Sequence, residues 1–434
     1  TILNQISSQS NLNTTISGNA TYTEPLGNKR FLEANYSITQ KENEIEQKGF
    51  DIDEGVGTPN DQLTNSYNNS YMYHRGGLNF LVNRDNYNLT IGSGVQASNL
   101  EGTSISLTKP LIKNYLNILP AVRFNYQFNN FVRLMANYET SVQEPGILQL
   151  QPIIDNRDPL NIYVGNPDLR PSYRHRLTLR FNSFNPATSF GFFTFASADY
   201  VNDAITNAVS VDESLIQTIS PVNTDYNLNV RGQINFTFAL NKLKSRINVG
   251  TGISHNQSTN ILNDVNQRIS NNTLSGNLRY NFRPFDNWET NLSANLNRNL
   301  TNYEFSTTQQ AYLNQTYSAE SNLTFFKNYE ASINYRYMVY QGKTSDFDKK
   351  VPLLNASIAR RFLKNKSIEL KLSAFNLLDK DLGVTQTSSV NYIERTVTNS
   401  LGRYFLLTFT YSLNRQLNVL ENGPRGGGRM MIIN

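Results

Sequence analysis

The feature that most constrains this chain is strict alternation, repeated from one end to the other. In RYFLLTFTYSL (403–413), Phe405, Leu407, Phe409, Tyr411 and Leu413 are apolar, and the residues between the last of them are Thr408, Thr410 and Ser412. Period 2 places the two sets on opposite faces of a strand. Val122, Phe124, Tyr126 and Phe128 alternate with Arg123, Asn125 and Gln127 in the same way. Leu177, Leu179 and Phe181 alternate with Arg176, Thr178 and Arg180. Two further rows are Ile333, Tyr335, Tyr337 and Val339, and Ile368, Leu370, Leu372 and Ala374. No stretch has a helical period, so the chain is predicted to be all-β.

Composition sharpens the question of what the apolar faces touch. Only 38% of the 434 residues are hydrophobic, yet there are 24 Tyr and 24 Phe. Such a chain needs much polar surface or interior and a thin apolar skin. No run of about 18 apolar residues is present, which excludes a transmembrane helix. Cysteine is absent, so no disulfide framework or thiolate metal site exists. The net charge is +5, but the cations stand singly inside strands and form no block, so no nucleic-acid partner is expected.

The connectors decide the architecture. One set is short and built of turn residues: near Leu26-Gly27-Asn28, Arg84-Asp85-Asn86, Asn129-Asn130, Asn185-Pro186, Lys242, Pro284-Phe285, Lys327-Asn328 and 364–366. The other is long and polar, over 51–63, 143–170, 207–221, 259–269, 303–309, 343–349 and 379–391, with a shorter one near 107–115. Short and long alternate along the chain. A membrane barrel carries tight turns at one end and long loops at the other. Many segments exceed the roughly 9–11 residues that span a bilayer with tilt. Lipid tolerates no unpaired backbone, so the sheet must close. The prediction is a transmembrane antiparallel β-barrel of the bacterial outer membrane, with Phe405, Leu407, Phe409, Tyr411 and Leu413 facing lipid and Tyr411 near one interface. About 17 strands are expected. Counting back from a last strand that ends on the tight-turn side, the first begins outside, so earlier strands are expected to be missing. Residues 1–413 would be barrel and 414–434 a flexible periplasmic tail.

Two motifs carry a family resemblance. YVGNPDLRPSYRH (163–175) resembles the Gly-Asn-Pro-x-Leu-x-Pro-Glu segment of TonB-dependent outer-membrane receptors; Gly165, Asn166, Pro167, Asp168, Leu169 and Pro171 match, and Ser172 replaces the acid. LKLSAFNLLDKD (370–381) resembles the Asn-Leu-Phe-Asp element of that family through Asn376, Leu377 and Asp379, with Leu378 in place of Phe. The closing strand and the loop SVQEPGILQLQPIIDNRDP (141–159) fit as well. The Asn-rich style and the trailing ENGPRGGGRMMIIN resemble outer-membrane barrel proteins of Bacteroidetes. The resemblance implies a barrel of about 22 strands around an N-terminal plug, of which this chain would supply the C-terminal portion. It implies uptake of a bulky nutrient, with TonB as a partner through a plug absent from this sequence, and a surface lipoprotein or other outer-membrane partner beside the lipid itself. Read from the residues alone, both motifs are rigid turns: the prolines fix φ and remove donors.

Ligand contact is expected in the outer loop, at Ile153, Ile154, Arg157 and Tyr163. No enzyme, cofactor or metal is expected. His74, His175 and His255 lie in separate strands without ligand spacing, and no Ser-His-acid set can be placed on one wall. The alternative reading is a plugless outer-membrane pore, or a scaffold barrel associated with assembly or secretion machinery.

Overall fold

The computed structural model describes residues 5–413 except 54, 61–63, 105–109, 151–153, 156–159, 306–309, 343–348, 364–365, 381–383, 389–392 and 398–400. The tail 414–434 lies outside the described residues. The strands are β1 (Gln5–Gly27), β2 (Arg30–Asp53), β3 (Val56–Pro59), β4 (Asn65–Asn83), β5 (Tyr87–Ser104), β6 (Leu111–Asn129), β7 (Val132–Gln143), β8 (Ile154–Asp155), β9 (Asn161–Val164), β10 (Ser172–Asn185) and β11 (Phe190–Val211). They continue as β12 (Gln217–Leu240), β13 (Ser245–Leu262), β14 (Val265–Phe285), β15 (Trp288–Tyr303), β16 (Gln310–Phe325), β17 (Tyr329–Gln341), β18 (Lys349–Phe362), β19 (Ile368–Phe375), β20 (Val384–Ser388), β21 (Ile393–Val397) and β22 (Tyr404–Tyr411). One helical turn, α1 (Ile147–Leu150), stands between β7 and β8. Five strands, β3, β8, β9, β20 and β21, have five residues or fewer and lie in connections; the other 17 have eight or more.

The chain forms two compact units. The first comprises Thr1–Phe238, Asn248–Asn277 and Asn297–Leu313; the second comprises Ala239–Ile247, Leu278–Leu296 and Asn314–Asn434. In the first unit, antiparallel pairing runs from β1 to β2, β4, β5, β6, β7, β10, β11 and β12 in turn. In the second, β17 pairs β18, β18 pairs β19, and β19 pairs the final strand β22. Strands β20 and β21 make a separate hairpin within the connection before β22.

The tight turns follow their residues. Asn28 and Lys29 both have positive φ (50° and 55°), as a two-residue hairpin turn with the strand twist demands. At the opposite ends, two connections expected to be long are short. β11 runs to Val211 and β12 begins at Gln217; β13 runs to Leu262 and β14 begins at Val265. Asn263 and Asp264 form the second turn, both at positive φ. The reason lies in strand length. β2 and β12 have 24 residues each and span about 80 Å at ~3.3 Å per residue. Their ends run well past the length a bilayer needs. There, both faces can be polar, so Asn, Ser, Thr and Gln read as loop while pairing as strand.

The register collects like residues onto one face. Ile91, Val122, Tyr138, Leu177, Ala198 and Val230 lie side by side across β5, β6, β7, β10, β11 and β12. This face is apolar and open: Leu116 is 72% exposed and Ile118 64%. The opposite face buries polar groups, such as Gln96 at 7%. A water-soluble sandwich has the reverse arrangement. Near the tight-turn ends of β6, β10, β11 and β12 the apolar face carries a chain of ring contacts, from Phe128 to Phe181, Phe192, Phe236 and Phe238. One residue departs from its row: Val339 is buried, whereas Ile333 and Tyr335 on the same strand are open.

Candidate functional site

The connection between β7 and β10 folds back onto the strands that flank it. Leu150, from α1, and Leu169, from the Gly-Asn-Pro motif, are 0% and 1% exposed. They pack with Tyr71 of β4 and Leu100 of β5 in one buried cluster, with Tyr73, Leu111 and Ile205 at its edge. Ahead of α1, the Glu144 carboxylate accepts a hydrogen bond from Gln96 Nε2 at 3.0 Å. Two apolar pins and one polar pin therefore hold the segment against β4 and β5.

The motif residues explain the fold of the segment. Asn166 donates its backbone N–H to the Gln149 carbonyl and its Nδ2 to the Pro221 carbonyl (3.1 Å), while its Oδ1 accepts from the Asp168 N–H (2.9 Å). Gly165 is buried at this crossing. Pro167 and Pro171 lack an N–H, so neither can continue a ladder. Leu169 is the anchor. Asp168 is exposed and Arg170 pairs with Asp203 at 2.6 Å.

Asn223, which sequence reasoning did not single out, completes this joint. Its Oδ1 accepts from the Arg170 N–H at 2.8 Å, and its Nδ2 donates to the carbonyls of Arg170 (2.9 Å) and Asp203 (2.8 Å). Ser172 Oγ also donates to the Asp203 carbonyl at 2.9 Å. Asp203 is left-handed, at φ 49°. Beyond this point the β11–β12 hairpin changes neighbours. Below it, β11 borders β10, and Tyr226 of β12 accepts a hydrogen bond from Gln257 of β13. Above it, Ala208–Val209 of β11 pair in parallel with Ile261–Leu262 of β13, and Gln217–Ile219 of β12 pair in parallel with Asn161–Tyr163 of β9. No sequence signal marks the exchange except an Asp and an Asn in strands.

The expected ligand residues are placed in part. Tyr163 lies in β9, between Asp155 of β8 and Ile219 of β12, and burial pushes its phenol up. Ile154 lies in β8, with its main chain opposite Val164. Ile153 and Arg157 lie outside the described residues.

The second motif closes the last strand. Asn376, left-handed and 2% exposed, donates its backbone N–H to Asn355 Oδ1 (2.9 Å) and its Nδ2 to the Lys380 carbonyl (2.7 Å), and its Oδ1 accepts from the Lys380 N–H (3.0 Å). Leu377 donates its N–H to the Leu354 carbonyl. Asp379, also left-handed, accepts from the Arg403 N–H. These are structural roles.

The polar face of β6, β7, β10 and β11 carries a group of charged residues. Arg123, Glu139, Arg176, Thr178 and Arg180 line, with Asn137, a concavity of about 360 Å³. Arg176 Nε meets Asp199 Oδ1 at 2.7 Å, and Arg180 stacks over Phe195. Among the described residues no His, Cys, Asp and Glu grouping could hold a metal ion.

The sequence matches the outer membrane protein β-barrel family over residues 2–283 and again over 270–411. The chain belongs to that family. Its place is therefore the bacterial outer membrane, and its strands are those of an outer-membrane β-barrel. Solved structures with a similar fold include the copper transporter OprC, at 10% identity and a TM-score of 0.47 over 92% of this chain and 65% of that one. They include the RagAB peptide importer in its closed-closed state, at 11% identity and 0.41 over 86% and 59%. They also include FpvA of P. aeruginosa bound to heterologous pyoverdines, at 10% identity and 0.29 over 91% and 64%. The chain thus spans less than two thirds of each of these structures. No curated protein matches the sequence.

Proposed function

We propose that this chain is the barrel portion of an outer-membrane receptor of TonB-dependent type that takes up a bulky nutrient. The observation that carries the reading is the pinned segment between β7 and β10. Leu150, Leu169 and Glu144 fasten a motif-bearing outer connection to the same strands that present the polar face. A passive pore gains nothing from so many fixed contacts. A receptor gains a preformed ligand surface, because ordering a loop in advance removes that cost from binding. Tyr163 and the β8–β9 hairpin belong to this surface, with Ile153, Ile154 and Arg157 as neighbours in sequence. In this reading the open apolar rows, Phe405 to Leu413 included, face lipid, and the polar face lines the solute path. TonB would act through a plug, and a surface lipoprotein is the natural outer partner. The Asn-rich composition favours a Bacteroidetes source. The nutrient is a bulky one, in keeping with long outer strands.

The test is conductance of the native protein, extracted from outer membranes and inserted in planar bilayers. A gated receptor stays closed and opens only when denaturant on the tight-turn side loosens the plug. Steady conductance without denaturant would overturn the reading in favour of a pore.

A further inference from the structure

We infer that the polar face around β10 carries a binding site for an anionic oxygen group, a carboxylate or phosphate borne by the solute, held between Arg123 and Arg180. The inference rests on the reading of this face as the solute path, and it names the chemistry of what passes.

β10 presents Arg174, Arg176 and Arg180 to one face, because they stand at even spacing with Thr178 between the last two. The register sets Arg176 opposite Glu139 of β7 and Asp199 of β11, and Thr178 opposite Asn137. Arg123 of β6 stands opposite that same Asn137, one strand further on. Three strands, β6, β7 and β10, thus line one concavity, to which they bring Arg123, Arg176 and Arg180. The acids of this patch are Glu139 and Asp199. Asp199 is engaged by Arg176. Among the described residues, neither Arg123 nor Arg180 has an acidic group within 4.0 Å; Arg180 is held over the Phe195 ring instead. Both are exposed. Two guanidinium groups that form no ion pair flank Thr178 and Asn137, which add a hydroxyl and an amide as hydrogen-bonding partners, and with Arg176 they outnumber the two acids of the patch, Glu139 and Asp199. Planar guanidinium forks match carboxylate and phosphate oxygens in pairs. Arg174, one two-residue step along β10 towards the outer connection, extends the cationic line by about 7 Å.

The absence of cysteine from the chain makes a direct test possible. Thr178→Cys in the full-length protein, with any cysteine outside these 434 residues replaced by serine, places a single thiol inside the patch. Its modification rates by an anionic and a cationic methanethiosulfonate reagent are measured in detergent and compared with those of free cysteine. The site predicts an anionic-over-cationic preference about tenfold above that of free cysteine, since focused charge raises counter-ion concentration by at least that factor. Inorganic phosphate should slow the anionic reagent, and Arg123→Gln with Arg180→Gln should remove the preference. Asn137→Cys gives a second reporter if Thr178→Cys misfolds. A ratio equal to that of free cysteine, a preference that survives loss of both arginines, or a thiol unreactive to both reagents would overturn the inference. The assay needs no transport, so a steady conductance that ends the receptor reading would leave this result standing.

Discussion

The Asp379 carboxylate accepts a hydrogen bond from the Arg403 backbone N–H at 2.9 Å, across a connection of 23 intervening residues. The contact fastens the end of β19 to the start of β22. Gly402 lies beside it, and a Cβ there would come within 2.9 Å of Asp379 Oδ1. Asn376, three residues earlier, is buried and fully engaged. Asn376→Ala removes two side-chain hydrogen bonds, both to Lys380, and a residue suited to positive φ, and should cost about 1–3 kcal/mol. Asp379→Ala should cost less, about 1 kcal/mol, because the carboxylate is half exposed. Urea midpoints of the folded barrel in detergent, read by gel mobility without heating, give both values. Equal, negligible effects would contradict the account of this motif.

Much of this was legible in the sequence. The alternation that begins at Phe405, the tight turns such as Asn28-Lys29 and the two motifs all report local chemistry: facing, left-handed φ and missing donors. The seventeen long strands follow from them. What escaped has a common cause. The outer parts of β13 and β14 run through Asn, Gln, Ser and Thr on both faces, and those of β11 and β12 mix short apolar residues with the same polar ones, so period 2 weakens and strand reads as loop. The exchange of neighbours at Asp203 depends on Asn223, 20 residues away in sequence, and no local pattern announces such a contact. Val339 sits at an outer end too, where packing outweighs alternation.

Leu169→Ala should destabilise the anchored segment by about 2–5 kcal/mol, since the side chain is fully buried and the cluster around it has only four members. Because the segment is local, the expected readout is limited proteolysis within 143–172 at unchanged barrel mobility. Leu148→Ala, at an exposed position of the same turn, is the control and should change nothing.

Asn223→Asp keeps the shape of the joint but exchanges two donors for acceptors that face the carbonyls of Arg170 and Asp203. Faster amide exchange is expected at Arg170, Ser172 and Ala204, with little change near the tight turns. Uniform exchange across β10 and β11 would show that the joint is not a distinct element.

Trp288 is the sole tryptophan in the sequence, at the tight-turn end of β15, with its indole N–H donated to Ser321 Oγ at 3.1 Å and its ring edge-on to Phe282. Amphipathic rings of this kind settle at the membrane–water interface. Its fluorescence in reconstituted vesicles should be quenched more by lipids brominated near the headgroup than by lipids brominated near the chain end. The opposite order would displace the tight turns from the interface.

The claim on which the account depends is that the apolar rows meet lipid and the polar rows do not. Leu407 and Thr408 are adjacent in β22 and point to opposite faces; Thr408 lies opposite Lys371 of β19, so its face already carries a cation. Folding into lipid vesicles should be measured for Leu407→Arg and Thr408→Arg side by side. Leu407→Arg should lose about 2–4 kcal/mol of folding stability, the cost of a cation on a lipid face near mid-membrane, while Thr408→Arg should fold nearly as the parent does. Equal losses for the two variants would contradict the assignment of faces, and with it the barrel reading of the solute path.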